Sequence, residues 1–379
     1  MKAIRPSQYL CAALFLLLLP SMQHELAAQR PAYPYFANQY QIPFPKSSFN
    51  TPDTVSVVII GDVMMHAKQL ERDHHPFLEK ISPLLRGADI AVANLEFPLG
   101  GEPYAGYPAF STPDYYAWYL AEDCGIDVFL TGNNHVLDRN AAGLQRTLRV
   151  YRQIRDSLGV LQTGAARDRQ ELTDTYPLLV SRHGIRIALV NFTYGTNYGA
   201  EVEWPKVNYM RKDEVADAIR TARRQDADFI VALPHWGTEY ELRHNATQAS
   251  WASWLVSEGV DVIVGSHPHV VQDTTHIQGV PVIYSLGNAV SNMSIINSRL
   301  GLAAILRFVY DPASGEKRML EPELRFLWCT LPERLLPDSY ASVFVKEWAN
   351  RRDDWLTPSD FDNMIATHQR VKDATGIQD

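Results

Sequence analysis

VDVIVGSHPH occupies residues 260–269, and its reading decides the fold. The first half is an apolar run of strand length, interrupted only by Asp261. The second half carries His267 and His269 on either side of Pro268. Strands buried on both faces read as such runs, the pattern of a parallel sheet covered by helices. Proline fixes φ near its extended value, and in an extended chain residues i and i+2 point the same way. The spacing therefore predicts two imidazoles facing one point at the end of a buried strand.

The same unit recurs outward from this stretch. Apolar runs at 55–60, 89–93, 128–130, 187–190, 229–233 and 282–286 each end in small or polar residues. Between them lie segments with helical spacing, at 143–158, at 214–227 and around Trp251, Trp254 and Leu255, whose i, i+3, i+4 spacing predicts one buried helix face. Continuous strands alternating with helices predict βαβ units and an α/β fold. After residue 299 the texture changes. Residues 302–310, a turn at 311–315 and residues 324–328 read as a hairpin. Two helical stretches are expected near 340–354 and 359–374.

Composition narrows the classes. The chain has 379 residues, 46% hydrophobic and 21% charged, with a formal net charge of −8. That is an ordinary globular composition, and with no long run of Lys or Arg it argues against a nucleic-acid partner. Lys2 and Arg5 precede the apolar run 9–20, and Leu26-Ala27-Ala28 follows. This reads as a signal peptide over 1–28, with an uncleaved anchor as the alternative, and places the protein in the periplasm or cell envelope. Residues 29–54, rich in proline and aromatics, read as an extended arm. Cys11 lies within the leader; Cys124 and Cys329 are expected as buried, unpaired thiols. The organisation is then leader 1–28, arm 29–54, main domain 55–330 and a C-terminal helical extension over 331–379.

Sites in parallel α/β sheets gather at the carboxyl ends of the strands. Here those ends supply Asp62, Glu96, Asn134, His135, His235, His267, His269 and Asn288. These are the side-chain types that bind a divalent cation or steer one that does. Taken singly, each is as readily a turn or capping residue. Glu239 reads either as a partner of His235 or as a surface charge. Asn288 reads either as a positioner of the site or as a strand cap. Tyr115, Tyr116, Trp118 and Tyr119 read as core packing, with a substrate-stacking wall as the alternative, and His74 and His75 as solvated.

In order, GD at 61–62, NLE at 94–96, GNNHxxD at 132–138, HWGxE at 235–239, GSHPHV at 265–270 and YSLGN at 284–288 resemble the CapA/PgsA group of capsule or poly-γ-glutamate synthesis proteins, within the calcineurin-like metallophosphoesterase superfamily. The resemblance covers roughly residues 55–310. It implies a four-layer α/β/β/α sandwich with a cleft for one or two divalent ions of the Mn, Zn or Fe type. It implies that Asp62 and His269 hold one ion, that Asn134, His235 and His267 hold the other, and that Glu96 bridges them where most of the superfamily has Asp. It implies that His135 stands beside the substrate as an acid or stabiliser.

Two departures stand out. The superfamily's Asp-x-His motif here reads Asp62-Val63-Met64, so one ligand is missing unless water or His66 replaces it. Asp138 follows His135 by three residues, where phosphatases usually carry the acid at the next position. The resemblance thus implies either a metal-dependent hydrolase acting on a phosphoester or on an anionic polymer, or a non-catalytic metal-binding assembly factor working with membrane-embedded synthesis machinery.

Overall fold

The computed structural model describes residues 53–198 and 201–378; the expected leader and most of the arm lie outside them. The fold is mixed α/β, with two large sheets. The first runs in the order Ala341–Phe344, Glu323–Thr330, Leu300–Tyr310, Asp53–Val63, Ile90–Leu95, Val128–Leu130, Leu161–Thr163. From Asp53–Val63 to Leu161–Thr163 the pairing is parallel, and Asp53–Val63 meets Leu300–Tyr310 antiparallel. The second sheet runs Thr274–Ile277, Val280–Ile283, Val262–Val264, Phe229–His235, Ile185–Thr193, Leu178–Arg182. Its four central strands are parallel.

The apolar runs are continuous because both faces of each sheet are covered. Val55, Val57 and Ile59 alternate into a core shared with Ile187, Val231 and Val262 of the second sheet. Val58 and Ile60 point the other way, into a core with Leu120, Leu144 and Ile154 of the helices Asp114–Glu122 and Asn140–Leu158. Beyond the second sheet, Val190, Ile230 and Ile263 pack on Ile219 and Leu255 of the helices Lys212–Arg224 and Ala246–Ser257. Each fully buried Val, Leu or Ile contributes about 1.5–3 kcal/mol, so these cores make the strand ends a rigid platform.

The helices expected at 143–158 and 214–227 and the hairpin after residue 299 are present. Two details differ. Trp251 and Trp254 are only half-buried, and the covered face of their helix is Gln248, Ala252, Leu255 and Val256. The stretch 340–354, expected as helix, begins as the strand Ala341–Phe344, paired with Glu323–Thr330, and continues as the single turn Val345–Trp348. The apolar Ala341, Val343 and Val345 join the core between the sheets, which favours the two-residue period over the helical one. The last helix, Pro358–Thr375, is anchored by a buried ion pair. Arg299 Nη1 and Nη2 donate to Asp360 at 2.6 and 2.7 Å, and the guanidinium lies 4.4 Å from the Trp328 ring. Removing one partner of such a pair costs about 3–5 kcal/mol. Cys124 and Cys329 are free and buried, as expected.

Candidate metal centre

Asp62 stands near the end of the central strand and is fully buried. Its backbone N–H donates to the Gly287 carbonyl at 2.9 Å. That approach requires glycine at 61, where a Cβ would lie 1.9 Å from the same oxygen. Asn94 Nδ2 donates to Asp62 Oδ1 at 2.7 Å, and the His267 backbone N–H donates to Oδ2 at 3.2 Å. Burial alone would raise the Asp62 pKa. The hydrogen bond with His269, the charges on His235 and His269 and the Asn94 bond outweigh it, and the net shift is downward.

Glu96 follows the neighbouring strand, with its N–H on the Val63 carbonyl at 3.1 Å. It is 0% exposed, and neither carboxylate oxygen has a hydrogen-bond partner. Its Oε1 lies 3.6 Å from His235 Nε2 and 3.7 Å from His269 Nε2. A buried carboxylate left without donors is costly and demands a reason.

His235 ends its strand in the second sheet. Its Nε2 lies 2.8 Å from Asn134 Oδ1, and its Nδ1 lies 3.0 Å from Ser266 Oγ. His267 and His269 come from the turn after Val262–Val264. The extended geometry expected from Pro268 does not occur there: φ is +100° at His267 and +58° at His269. Left-handed backbone at two non-glycine residues is strained, and such strain collects at functional sites. The rings nevertheless reach one region, with centroids 4.8 Å apart for His235 and His267 and 6.0 Å apart for His267 and His269. Gly265 makes the turn possible, since a Cβ there would sit 2.2 Å from the Tyr284 carbonyl oxygen.

The electrostatics of the three imidazoles differ. Burial, then the neighbouring His235, His269 and His135, drive the His267 pKa far below its usual value, and its Nδ1 is buried without a partner. Burial also opposes charge on His269, but Glu96 and Asp62 outweigh it and push its pKa up to about 10. Asn288, opposite Asp62 across the strand pair, sets Oδ1 3.0 Å from His269 Nδ1, and its Nδ2 donates to the Ser298 carbonyl at 2.9 Å. Its side chain thus contacts the His269 ring as well as the backbone that follows its own strand.

Two trios of potential ligand atoms result, each within 4.8 Å: Asp62, Glu96 and His269, and Glu96, His235 and His267. They share Glu96. Asn134 joins the second through His235. The donor set of carboxylate and imidazole, with an orphaned carboxylate at its centre, fits a divalent cation.

His135 sits at the edge of this cluster. Its Nδ1 meets Asp138 Oδ2 at 2.7 Å, and both side chains are buried. Asp138 also accepts from the Phe110 N–H at 2.8 Å, so it orients the imidazole and belongs to neither trio. His66 lies outside both trios. Its Nδ1 accepts from the Asn292 N–H at 3.2 Å and lies 3.1 Å from Gln69 Oε1, in the cap of the Ala67–Leu70 turn. Met64 is buried in the apolar core. Glu239 is exposed and is not among the partners of His235, which are Asn134, Ser266, Asn94 and Glu96. Of the four aromatics expected as core, Tyr116 and Tyr119 are buried and Trp118 is half-buried, but Tyr115 is exposed.

Three contributors escaped the sequence reading. Asn94 bridges Asp62 and His235, Asn133 Nδ2 donates to Asn94 Oδ1 at 3.1 Å, and Asn197 Nδ2 lies 3.3 Å from His135 Nδ1. Asn94 and Asn133 adjoin recognised site residues in NLE and GNNH; Asn197 carries no such signal.

Comparison with known proteins places this geometry. The sequence model of the bacterial capsule synthesis protein PGA_cap family matches residues 56–293. The chain belongs to this family. Among similar proteins, the capsule biosynthesis protein CapA of Bacillus anthracis is 27% identical over 253 residues, 63% of this chain and 60% of that protein. The PGA biosynthesis protein CapA of Bacillus subtilis is 25% identical over 264 residues, 67% of this chain and 68% of that protein. The match thus spans about 60% of the length of the first of these relatives. Among solved structures, a phosphatase from Mycoplasma pneumoniae aligns with a TM-score of 0.42 at 11% identity, covering 73% of this chain and 94% of that one. So remote a likeness has no bearing on chemistry.

Proposed function

We propose that this PGA_cap member is an exported, divalent-metal-dependent hydrolase that works in the synthesis or processing of a capsule or poly-γ-glutamate-type polymer. The observation that carries the reading is Glu96: a fully buried carboxylate with no donor, held between His235 and His269. Asp62 and His269 would hold one ion, His235, His267 and Asn134 the other, and Glu96 would serve both.

A bound divalent ion supplies Lewis acidity and brings the pKa of water from about 16 toward about 7. The protein's own part is orientation and proton handling. Asp138 fixes the His135 ring through Nδ1, and Nε2, with Asn197 Nδ2 3.4 Å away, is the atom that would hold or deliver a proton to a leaving oxygen or nitrogen. Asn94 and Asn288 hold Asp62 and His269 in register. Neutral imidazole at His267 adds a ligand without adding charge.

The test is elemental analysis of the purified protein, then hydrolysis of an aryl phosphodiester or poly-γ-glutamate with added Mn²⁺ or Zn²⁺. His267→Ala should abolish turnover; unchanged turnover in that variant removes the reading. A second reading, a metal-binding assembly factor without turnover, is favoured by Met64, which packs in the core where the superfamily's pattern has a ligand. It predicts bound metal, no hydrolysis, and specific recovery of membrane-embedded partners in a pull-down.

A further inference from the structure

Three exposed tyrosines stand over the three histidines at the mouth of the site. Tyr107 lies 6.4 Å from His135, Tyr194 lies 4.6 Å from His267, and Tyr240 lies 6.2 Å from His269, between ring centroids. They are 71%, 48% and 38% exposed, although large aromatics usually bury most of their surface. They come from three different loops, and each loop is tied to the site. The Tyr194 N–H donates to the His235 carbonyl at 2.9 Å, and the Tyr240 N–H donates to the Pro268 carbonyl at 2.8 Å. Arg139, from the segment after His135, donates to the Phe110 carbonyl at 3.1 Å and so holds the loop that carries Tyr107. Tyr240 pays a backbone penalty for its place, with φ at +67°.

The charge at this mouth is unusual for a site that handles anions. The chain carries a net charge of −8, and Glu239 stands exposed beside Tyr240. Among the described residues, no hydrogen bond or ion pair of Asp62, Glu96, His135, His235, His267 or His269 goes to a Lys or Arg. Arg243, near Tyr240, is paired with Asp273 at 3.6 Å. Glu239 engages the Tyr240 hydroxyl, so a chain entering here meets three ring faces and the neutral hydroxyls of Tyr107 and Tyr194.

We infer that Tyr107, Tyr194 and Tyr240 form the substrate-gripping rim of the site, stacking on the planar amides of an extended polyamide strand while the Tyr107 and Tyr194 hydroxyls donate to its carboxylates. This rests on the proposed metal-centre reading and assigns its specificity to residues outside the ligand set. Ring stacking and neutral hydrogen bonds are short-ranged, so binding through this rim is insensitive to salt, unlike binding through lysines or arginines.

The test is calorimetric titration of Mn²⁺-loaded protein with poly-γ-glutamate oligomers. Tyr194→Ala and Tyr240→Ala should each weaken binding about tenfold; Tyr194→Phe, which keeps the ring and loses a donor, should weaken it about threefold, and Tyr240→Phe by less than about twofold. Metal content should stay at the wild-type value in all four. Raising NaCl from about 50 to about 300 mM should change wild-type affinity by less than about threefold. Wild-type affinity in the Ala variants, a steep salt dependence, or no oligomer binding by metal-loaded wild type would each overturn the rim. Wild-type protein that retains no metal would instead sink the metal-centre reading on which the rim depends.

Discussion

The two halves of the candidate metal centre share Glu96 and are otherwise built differently. One half takes Asp62 from a strand and His269 from a turn, and its third expected position, residue 64, is a methionine sunk in the apolar core. The other half takes His235 from a strand end and His267 from the same turn, with Asn134 against His235 Nε2 at 2.8 Å. The first half is richer in charge and poorer in ligands; the second is the reverse. Ligand number and geometry hold an ion more firmly than charge alone. The second half should therefore keep its metal when the first has lost it.

The most severe way to break this contrast is to remove what both halves share. Glu96→Ala should lower metal affinity at both by at least about a hundredfold, leaving almost no metal after dialysis. If metal analysis instead shows one equivalent retained, Glu96 serves a single ion and the halves are independent. The converse experiment sharpens the contrast. Met64→His should strengthen the poorer half by about tenfold while lowering the stability of the metal-free protein by about 1–3 kcal/mol, the cost of an unpaired imidazole in an apolar site. Titration with Mn²⁺ and thermal melting of the apo protein measure the two effects.

A smaller effect separates the halves by pH. In the metal-free protein His269 stays protonated to about pH 10, because Glu96 and Asp62 outweigh the effect of burial. In the unfolded chain it titrates near 6.5. Its contribution to stability is therefore complete below about pH 6.5 and is lost as pH rises toward 10. His267 has the opposite sign: burial holds it neutral in the fold, so stability is lost as pH falls below about 6.5 and the unfolded chain takes up a proton. Metal-free protein should melt highest near neutrality. Metal affinity at the Asp62 half should keep rising above neutrality, since an ion must displace the His269 proton. A melting temperature that does not fall between pH 7 and 10 would contradict the assignment of charge to His269.

The contrast also explains what was legible in the sequence. The strands were, because burial on both faces leaves unbroken apolar runs such as 187–190 and 229–233. So were the residues at their ends, because strand direction alone delivers Asp62, Glu96 and His235 to one edge. The turn was not. Its outcome, two histidines converging, was expected, but through an extended His-Pro-His segment, whereas left-handed φ at both histidines produces it. That conformation is imposed by contacts from elsewhere, including the Asp62 carboxylate on the His267 N–H and the Tyr240 N–H on the Pro268 carbonyl. The strand Ala341–Phe344 was missed for the same kind of reason: its partner Glu323–Thr330 and the core it joins decide its form, and short-range spacing does not report them.

The smallest expected effect comes from a third cluster of ligand-type side chains, whose histidines read as solvated in the sequence. Asp73, His74 and His75 are consecutive, and their ligand atoms also lie within 4.8 Å of one another. Unlike Glu96, however, Asp73 and His75 are satisfied by each other without an ion, and His74 is half-buried against aromatic rings rather than solvated. His75 Nδ1 meets Asp73 Oδ1 at 2.6 Å, and the His74 ring packs against Tyr115 and Tyr119 at 4.8 and 4.9 Å. Asp73 and His75 are exposed, where water competes for any ion and adds to the screening of charge. His75→Ala should therefore leave the dialysed metal content unchanged and shift stability by no more than about 0.5 kcal/mol. Loss of one metal equivalent in this variant would mean that burial and an unsatisfied carboxylate do not distinguish a metal site here, and Glu96 would no longer mark one.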